Sequence, residues 1–191
     1  MIDFLLDTIS KTIILSEADK LVFRQNSHIK KLKKHQYFLQ EGDVCKYGGF
    51  VTKGCLKTYS IDKNGVEHIF QFAIEGWWVS DMYSFLTGEP ATYYIEAIEN
   101  SEVILMDLEG RNKILEKVPQ YEKFMRILLE KNYVAGQQRL NDMLGSSAEE
   151  RYLTFINLYP QIVKRVPQLS IASYLGMAPE SLSRIRKQLS K

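Results

Sequence analysis

The sequence predicts an α+β chain in which a β-roll is followed by a long helix and a small all-α domain. Three observations lead to this prediction: β-rich stretches separated by turns as far as Asp107, an almost uninterrupted helical pattern after it, and a helix-turn-helix pattern near the carboxyl end. We therefore expect the roll at residues 1–110, the long helix at 111–144 and the helix-turn-helix domain at 145–191.

Composition restricts the class of protein. The 191 residues are 45% apolar, yet they contain no run of about 18 apolar residues that could cross a membrane. The first seven residues are acidic where a secretory signal is basic, so we expect a cytoplasmic protein without membrane association. The two cysteines, Cys45 and Cys55, fit a reducing compartment. By themselves they cannot hold an iron–sulfur cluster or a cysteine-rich zinc site, so no cofactor is predicted.

The net charge of +2 conceals an asymmetry along the chain. Residues 1–110 carry a net charge of −5, whereas residues 111–191 carry +7. A basic carboxyl-terminal part on an acidic amino-terminal part is typical of a polyanion-binding module attached to another domain, although chance segregation on a solvated surface gives the same pattern.

The roll is predicted from strands at nearly even spacing. The β-rich stretches are residues 35–40, 49–52, 55–61, 66–72, 92–98 and 103–107. Asn64-Gly65 predicts a type I′ hairpin between the third and the fourth of them. Ahead of the roll, residues 2–23 are expected to be helical, with Ser16 opening a second short helix.

A helix is predicted from about Gln120 to Leu144, with Gly145 closing it. Its apolar face consists of Tyr121, Phe124, Leu128, Ala135 and Met143, flanked by Ile127 and Leu140. A buried core helix would show the same face, but the length favours the seam of a two-stranded dimer. Ser147 is then placed to cap the next helix, through Glu149 and Glu150.

The most specific pattern begins at Gln168 and extends over twenty positions. Two short crossing helices need apolar contact positions, a small residue at the crossing and a turn residue that tolerates positive φ. The contact positions are Ile171, Leu175, Met177, Leu182 and Ile185. Ala172 is the small residue and Gly176 the turn residue. This pattern predicts a helix-turn-helix, with a generic helical hairpin as the alternative.

A helix-turn-helix presents its second helix to DNA. We expect Ser170 to cap the first helix near a phosphate and Pro179 to begin the second. The groove-facing side chains are predicted to be Ala178, Pro179, Glu180, Ser183, Arg184 and Lys187. Arg184 can pair with guanine, and Glu180 can pair with cytosine. Alternatively, Arg184 is only solvated, and Glu180 only interacts favourably with the helix dipole. Arg186 and Lys187 are predicted to contact phosphates.

This order of elements resembles the Crp/Fnr family of bacterial regulators over nearly the whole chain. The resemblance rests on Glu-Gly-Asp at 41–43, Gly-Phe-Val-Thr-Lys-Gly at 49–54 and Ser-Leu-Ser-Arg-Ile at 181–185. It implies a jelly-roll (double-stranded β-helix) domain like those that bind cyclic nucleotides, and a homodimer formed through the long helix. It also implies binding to pseudo-palindromic double-stranded DNA, with RNA polymerase as a further partner.

One departure from the family concerns its phosphate site. The matching stretches are Ser80-Asp81 and Ala91-Thr92-Tyr93, which lack the family's arginine. Residues 64–110 contain nine carboxylates and neither lysine nor arginine, so we expect that cyclic AMP is not the ligand unless Arg126 or Arg139 of the long helix supplies the cation. The candidate effector pocket consists of Trp78, Asp81, Met82, Tyr83, Thr92 and Tyr93. These residues either stack on an uncharged ligand or simply fill the pocket.

A second departure is the expected absence of the family's β-hairpin wing after the recognition helix, for which Lys164 and Arg165 could compensate.

Two other functions are alternatives. A cupin-like metalloenzyme is disfavoured because His28, His35 and His68 form no H-x-H pair, so no enzyme is predicted. A protein-interaction module whose helix-turn-helix no longer binds DNA is the remaining alternative.

Overall fold

The structure is a computed structural model, and it describes residues 1–189. The helices are α1 (Ile2–Ser10), α2 (Glu17–Gln25), α3 (Met82–Thr87), α4 (Leu108–Lys117), α5 (Tyr121–Gly145), α6 (Ala148–Leu158), α7 (Pro160–Val163), α8 (Gln168–Tyr174) and α9 (Pro179–Leu189). The strands are β1 (His28–Leu32), β2 (Tyr37–Leu39), β3 (Tyr47–Lys53), β4 (Leu56–Ile61), β5 (Glu67–Ala73), β6 (Trp78–Val79), β7 (Tyr94–Ala97) and β8 (Ser101–Asp107). The predicted α+β class is confirmed.

The roll consists of two four-stranded antiparallel sheets. The first sheet has the strand order β1-β8-β3-β6, and the second has the order β2-β7-β4-β5. Apolar side chains from the inner faces of both sheets form one core, which contains Leu32, Val51, Leu56, Ile95 and Val103. Because side chains alternate along a strand, the outer faces remain available to pack against helices.

The outer face of the first sheet is covered by α1, α2, α4 and the beginning of α5. Phe23 meets the Tyr121 ring edge-on at a centroid distance of 5.0 Å, and both side chains are buried. Phe124 lies in the same cluster. Tyr121 and Phe124 were predicted to form a dimer seam, and that prediction is wrong because the first turn of α5 packs against its own roll.

The predicted long-helix segment at 111–144 also needs correction. Most of α4 falls within it, and α4 packs against α2 and β8 as part of the roll. Val118, Pro119 and Gln120 then separate α4 from α5. The single long helix is therefore α5 alone, which ends at Gly145 as predicted.

Two helix starts predicted from serines are confirmed. The Ser16 hydroxyl accepts a hydrogen bond from the Asp19 N–H, and the Asp19 carboxylate accepts one from the Ser16 N–H. Ser147 and Glu150 form the same reciprocal arrangement at the start of α6. Such capping boxes satisfy amides that the first turn of a helix leaves without a partner.

The β4–β5 hairpin exists, but its turn type was predicted wrongly. Gly65 has φ of +80°, whereas Asn64 does not have the positive φ that a type I′ turn requires. The Gly65 N–H donates to the Asp62 carbonyl, and the Asp62 carboxylate accepts from the amides of Asn64 and Val66. An aspartate bonded to the amides that follow it favours a turn in which only the glycine is left-handed.

Strand β1 was missed by the sequence analysis because its lysines suggested a solvated face. It pairs with β8 in continuous antiparallel register from His28 opposite Leu105 to Leu32 opposite Ser101. β1 lies at an edge of the first sheet, where charged side chains are common because they discourage pairing with other chains.

No helix within residues 1–189 is long and apolar enough to cross a bilayer. The predicted absence of a wing concerns chain beyond the described residues.

Candidate nucleic-acid interface and effector pocket

The carboxyl-terminal domain contains a helix-turn-helix made of α8 and α9. Gly176 lies in the turn with φ of +62°, as predicted for this position. A Cβ atom at Gly176 would also lie only 2.9 Å from the Met143 methyl group of α5. Both the turn conformation and the close approach of α5 therefore favour glycine here.

The predicted contact positions form the core of this domain. Ile171, Ala172, Leu175, Leu182 and Ile185 are buried, and the largest exposure among them is 6%. Tyr152 and Phe155 of α6 lie in the same cluster, against which the half-buried Met177 packs. Sequence spacing therefore predicted the inner faces of α8 and α9 correctly.

The predicted recognition residues lie on α9, on the side away from this core. Pro179 is the first residue of α9, and Pro179, Glu180, Ser183, Arg184 and Lys187 are exposed. Arg186 is half-buried. A single solvent-facing surface thus carries the predicted base-reading and phosphate-binding side chains.

Ser170 does not cap α8 as predicted. The N-cap is Pro167, which offers no side-chain cap, and Ser170 is the third residue of the helix. The half-buried Ser170 therefore does not supply the predicted cap at a phosphate site.

The candidate effector pocket centres on the buried carboxylate of Asp81. One oxygen accepts the Ser84 N–H at 3.0 Å and so caps α3. The other oxygen accepts the Thr92 N–H at 3.0 Å and lies 3.4 Å from the Thr92 hydroxyl. The structure brings Asp81 and Thr92 together as predicted. Both carboxylate oxygens of Asp81 accept hydrogen bonds from the protein itself.

The remaining pocket candidates do not surround Asp81 as one lining. Met82 and Tyr83 are 38% and 61% exposed on α3. The Tyr93 ring stacks on Phe70 at 5.3 Å, whereas Trp78 packs on Phe50 at 5.3 Å, in the cluster formed with the amino-terminal helices. The prediction of one pocket that includes Trp78 is therefore wrong.

The long-helix arginines considered for this pocket contact other groups. Arg126 donates to Glu130 at 2.7 Å within α5. Arg139 donates to backbone carbonyls of β5 and α8. Neither contact brings a cation to Asp81.

Comparison with known proteins identifies the amino-terminal part of the chain. The cyclic nucleotide-binding domain family matches residues 29–118. The fumarate and nitrate reduction regulatory protein of Vibrio cholerae is 26% identical over 93% of this chain and 73% of its own length. The transcriptional activator protein Anr of Pseudomonas aeruginosa is 27% identical over 81% of this chain and 67% of its own length.

Solved structures share the whole architecture. FixK2 from Bradyrhizobium japonicum superimposes with a TM-score of 0.72 at 20% identity, covering 86% of this chain and 84% of its own. A regulator assigned to the Crp/Fnr family from Eubacterium rectale gives 0.69 at 17% identity, covering 92% and 84%. The relatives and neighbours make this chain similar to transcription regulators of the Crp/Fnr type.

These curated relatives are transcription regulators, and regulators of this kind are generally not enzymes. Within residues 1–189, no three histidine, cysteine, aspartate or glutamate side chains come together as a metal site.

An interface between the roll and the carboxyl-terminal domain was not predicted from the sequence. The carboxyl-terminal domain packs on the outer face of the second sheet, and one apolar cluster spans both. We call this contact the docking interface and define it by Ile69 and Phe72 of β5 together with Phe155, Ile162 and Tyr174. Ile69 and Phe72 are three residues apart, and they reach the same side of β5 because the β4–β5 register shifts between Ile69 and Gln71. Simple alternation along the sequence does not reveal such a bulge.

Arg165 lies at the rim of the docking interface rather than on a DNA-facing surface. Its guanidinium donates to both carboxylate oxygens of Glu75, at 2.8 and 3.0 Å, and to the Glu99 carboxylate. The prediction that Arg165 compensates for a missing wing is therefore wrong, because its donors contact two carboxylates of the roll.

Proposed function

We propose that this chain is a Crp/Fnr-type regulator that binds a two-fold DNA operator as a homodimer and reads bases with α9. The observation that carries the proposal is the helix-turn-helix itself, with a packed inner face and an exposed outer face on α9. The net positive charge of residues 111–191 supports it because cations attract the phosphate backbone.

Arg184 and Glu180 are the proposed base-reading residues. Both are exposed and lie one helical turn apart on α9. A guanidinium can donate to guanine O6 and N7, and a carboxylate can accept from cytosine N4. Ser183 completes this surface, and Arg186 and Lys187 contact phosphates.

The proposed dimer forms through an apolar seam on α5. Leu129, Tyr133, Gly136, Leu140 and Met143 repeat at alternating intervals of four and three residues. The four larger side chains are between 45% and 67% exposed. An exposed heptad repeat is the pattern by which two helices pair, and Gly136 at its centre permits close approach. The occupant of this surface is therefore a second copy of the chain.

Cyclic AMP is not the proposed effector. A cyclic phosphate held away from water needs a cation or donors that are not already bonded. Asp81 adds a negative charge at this position instead, and its donors come from Ser84 and Thr92. An uncharged effector, or none, fits this arrangement.

The experiment that tests DNA binding is selection of bound sequences from a random duplex pool. We expect a two-fold consensus whose affinity falls steeply with salt. Arg184→Ala should cost about 1–3 kcal/mol on the selected site and remove the preference at one position of each half-site. A protein-interaction module would instead enrich no sequence.

Lys187→Ala is the matched control on the same helix. Removal of a phosphate contact should weaken binding to every sequence alike and reduce the salt slope by about one. If Arg184→Ala behaved like Lys187→Ala, base reading by Arg184 would be refuted.

A further inference from the structure

Arg139 is the side chain through which three parts of the molecule meet. It lies on α5, and its guanidinium donates to the carbonyls of Ile69 and Tyr174 at 3.0 and 2.8 Å, and also to the Phe70 carbonyl. Ile69 and Phe70 belong to strand β5 of the roll, whereas Tyr174 ends helix α8 of the helix-turn-helix. The long helix, the roll and the DNA-binding domain therefore share one guanidinium.

The surroundings of Arg139 make these contacts depend on one another. Its guanidinium donates to carbonyls rather than to carboxylates, and it stacks over the Tyr174 ring at 4.0 Å. The side chain is half-buried, and this burial lowers the pKa of Arg139. A half-buried cation that donates to carbonyls loses these hydrogen bonds when the carbonyls move apart. Its geometry therefore favours the arrangement in which all three elements are in place.

Ser173 adds directional bonds to the same contact. Its hydroxyl donates to the Glu67 carbonyl at 2.6 Å and accepts the Ile69 N–H at 3.0 Å. β5 is an edge strand of the second sheet, so its outer backbone groups have no neighbouring strand. The Ser173 side chain of α8 thus forms hydrogen bonds with backbone groups at the edge of β5. These two bonds fix the position of α8 along the strand.

This docking leaves the proposed recognition surface open. α8 makes the contacts to β5, while Glu180, Ser183 and Arg184 of α9 remain exposed. The contact therefore holds the recognition helix in a defined direction relative to α5 without covering it.

We propose that Arg139 is a positioning residue that locks the helix-turn-helix onto strand β5 and so sets the direction of α9 relative to the dimer helix. The consequence for DNA rests on the proposed function, whereas the docking itself does not. Movement of β5 relative to α5 is transmitted to the recognition helix through this guanidinium.

The first test needs no DNA, because the chain contains its own probe. Cys55 lies in the apolar cluster of the docking interface and is fully buried, and burial raises the pKa of its thiol to about 12. Cys45 is buried in the inner core of the roll. Undocking should therefore expose Cys55 to a thiol reagent and leave Cys45 protected.

The experiment measures the rate at which dithiodipyridine modifies Cys55 in a Cys45→Ala background. Arg139→Ala should raise that rate by about tenfold or more, and Arg139→Lys should raise it less. Arg126→Ala is the matched control, since Arg126 is an exposed arginine of the same helix that pairs with Glu130. An unchanged rate in Arg139→Ala would overturn the proposal.

A second measurement separates docking from folding of the roll. The rate at Cys45, read in a Cys55→Ala background, should be unaffected by Arg139→Ala. A parallel rise at both cysteines would show that Arg139 supports the roll as a whole and would also overturn the proposal. If Arg139→Ala fails to fold, Ser173→Ala tests the same interface. An unchanged rate of Cys55 modification in Ser173→Ala would then overturn the proposal.

The DNA measurement compares a two-fold site with a single half-site. Arg139→Ala should reduce the advantage of the two-fold site by about tenfold and leave half-site affinity near that of wild type. Tighter binding to the two-fold site would mean that docking restrains the recognition helix, contrary to the proposal. If the wild type selects no DNA, the proposed function fails, and the thiol rates still decide whether Arg139 docks the domain.

Discussion

Asp81 is a buried carboxylate whose hydrogen-bond donors belong to the protein itself. Both oxygens have donors, one from α3 and the other from Thr92. A buried carboxylate that is fully hydrogen-bonded contributes to stability, whereas the same group without donors would be costly. Asp81 therefore fastens α3 to the segment that precedes β7.

At the residue scale, we predict that Asp81→Ala lowers the free energy of unfolding by about 1–3 kcal/mol. The substitution removes the cap of α3, worth about 1 kcal/mol, and leaves the Thr92 amide without its acceptor. Urea denaturation measures the effect. Asp7→Ala, which removes an exposed carboxylate from α1, should change stability by less than about 0.5 kcal/mol.

The opposite outcome would assign Asp81 to a working effector site. Asp81→Ala would then be as stable as Asp7→Ala. Calorimetry on the wild type would also show micromolar binding of cyclic AMP that Thr92→Ala abolishes.

At the scale of elements, the ion pairs of Arg165 connect the segment after α7 to two turns of the roll. Burial by itself would raise the pKa of Glu75, but the Arg165 guanidinium and the Gly54 N–H donate to its carboxylate and hold the pKa below its ordinary value. The folded state therefore favours ionised Glu75. Its stabilisation is present above the ordinary glutamate pKa of about 4.3 and is lost as the pH falls through the lower folded value.

We predict that Glu75→Gln lowers the melting temperature by roughly 1–3 °C at pH 7, a small effect because the pair is partly exposed. The difference from wild type should shrink at a pH below the lowered folded pKa of Glu75, where wild-type Glu75 itself becomes protonated. Thermal unfolding by circular dichroism at both pH values measures it. Glu116 of α4 is exposed and supplies a control. Glu116→Gln should have the same melting temperature as the wild type at pH 7. A Glu75→Gln difference that persists unchanged at low pH would contradict this account.

At the scale of the whole molecule, α5 serves two different interfaces along its length. Its first turn packs on the roll through Tyr121 and Phe124, whereas the seam from Leu129 to Met143 remains exposed. An exposed apolar face of this kind usually marks an interaction surface. The proposed dimer seam and the docking contact of Arg139 therefore lie along the same half of α5, where Arg139 is next to Leu140 in sequence.

We predict that Tyr133→Glu dissociates the proposed homodimer into monomers at micromolar concentration, because it places two carboxylates together in an apolar seam. Val134→Glu is the matched control. Val134 is 62% exposed, close to the 67% of Tyr133, but it lies off the heptad positions. Sedimentation equilibrium distinguishes the two variants, and equal behaviour of both would contradict the assigned seam.

The features that could be predicted from the sequence are those specified by neighbouring residues. The capping serines Ser16 and Ser147 and the turn glycine Gly176 act within a few positions of their partners, so local chemistry identified them correctly. Strand β1 escaped prediction because its membership in the sheet depends on β8, far along the chain. Trp78 was placed in the effector pocket by proximity in sequence, whereas alternation along β6 directs it to the opposite face.

The order of the three parts, the inner faces of the helix-turn-helix and the absence of lysine and arginine from residues 64–110 follow from the sequence alone. The way in which the parts are joined depends on the tertiary structure. Arg165 meets Glu75 across 90 residues and Arg139 meets Ile69 across 70. The residues next to each arginine in sequence do not indicate its partner. A charged side chain on a helix can face solvent, contact DNA or pair with another domain. Such contacts exist only once the roll and α5 have brought distant segments together.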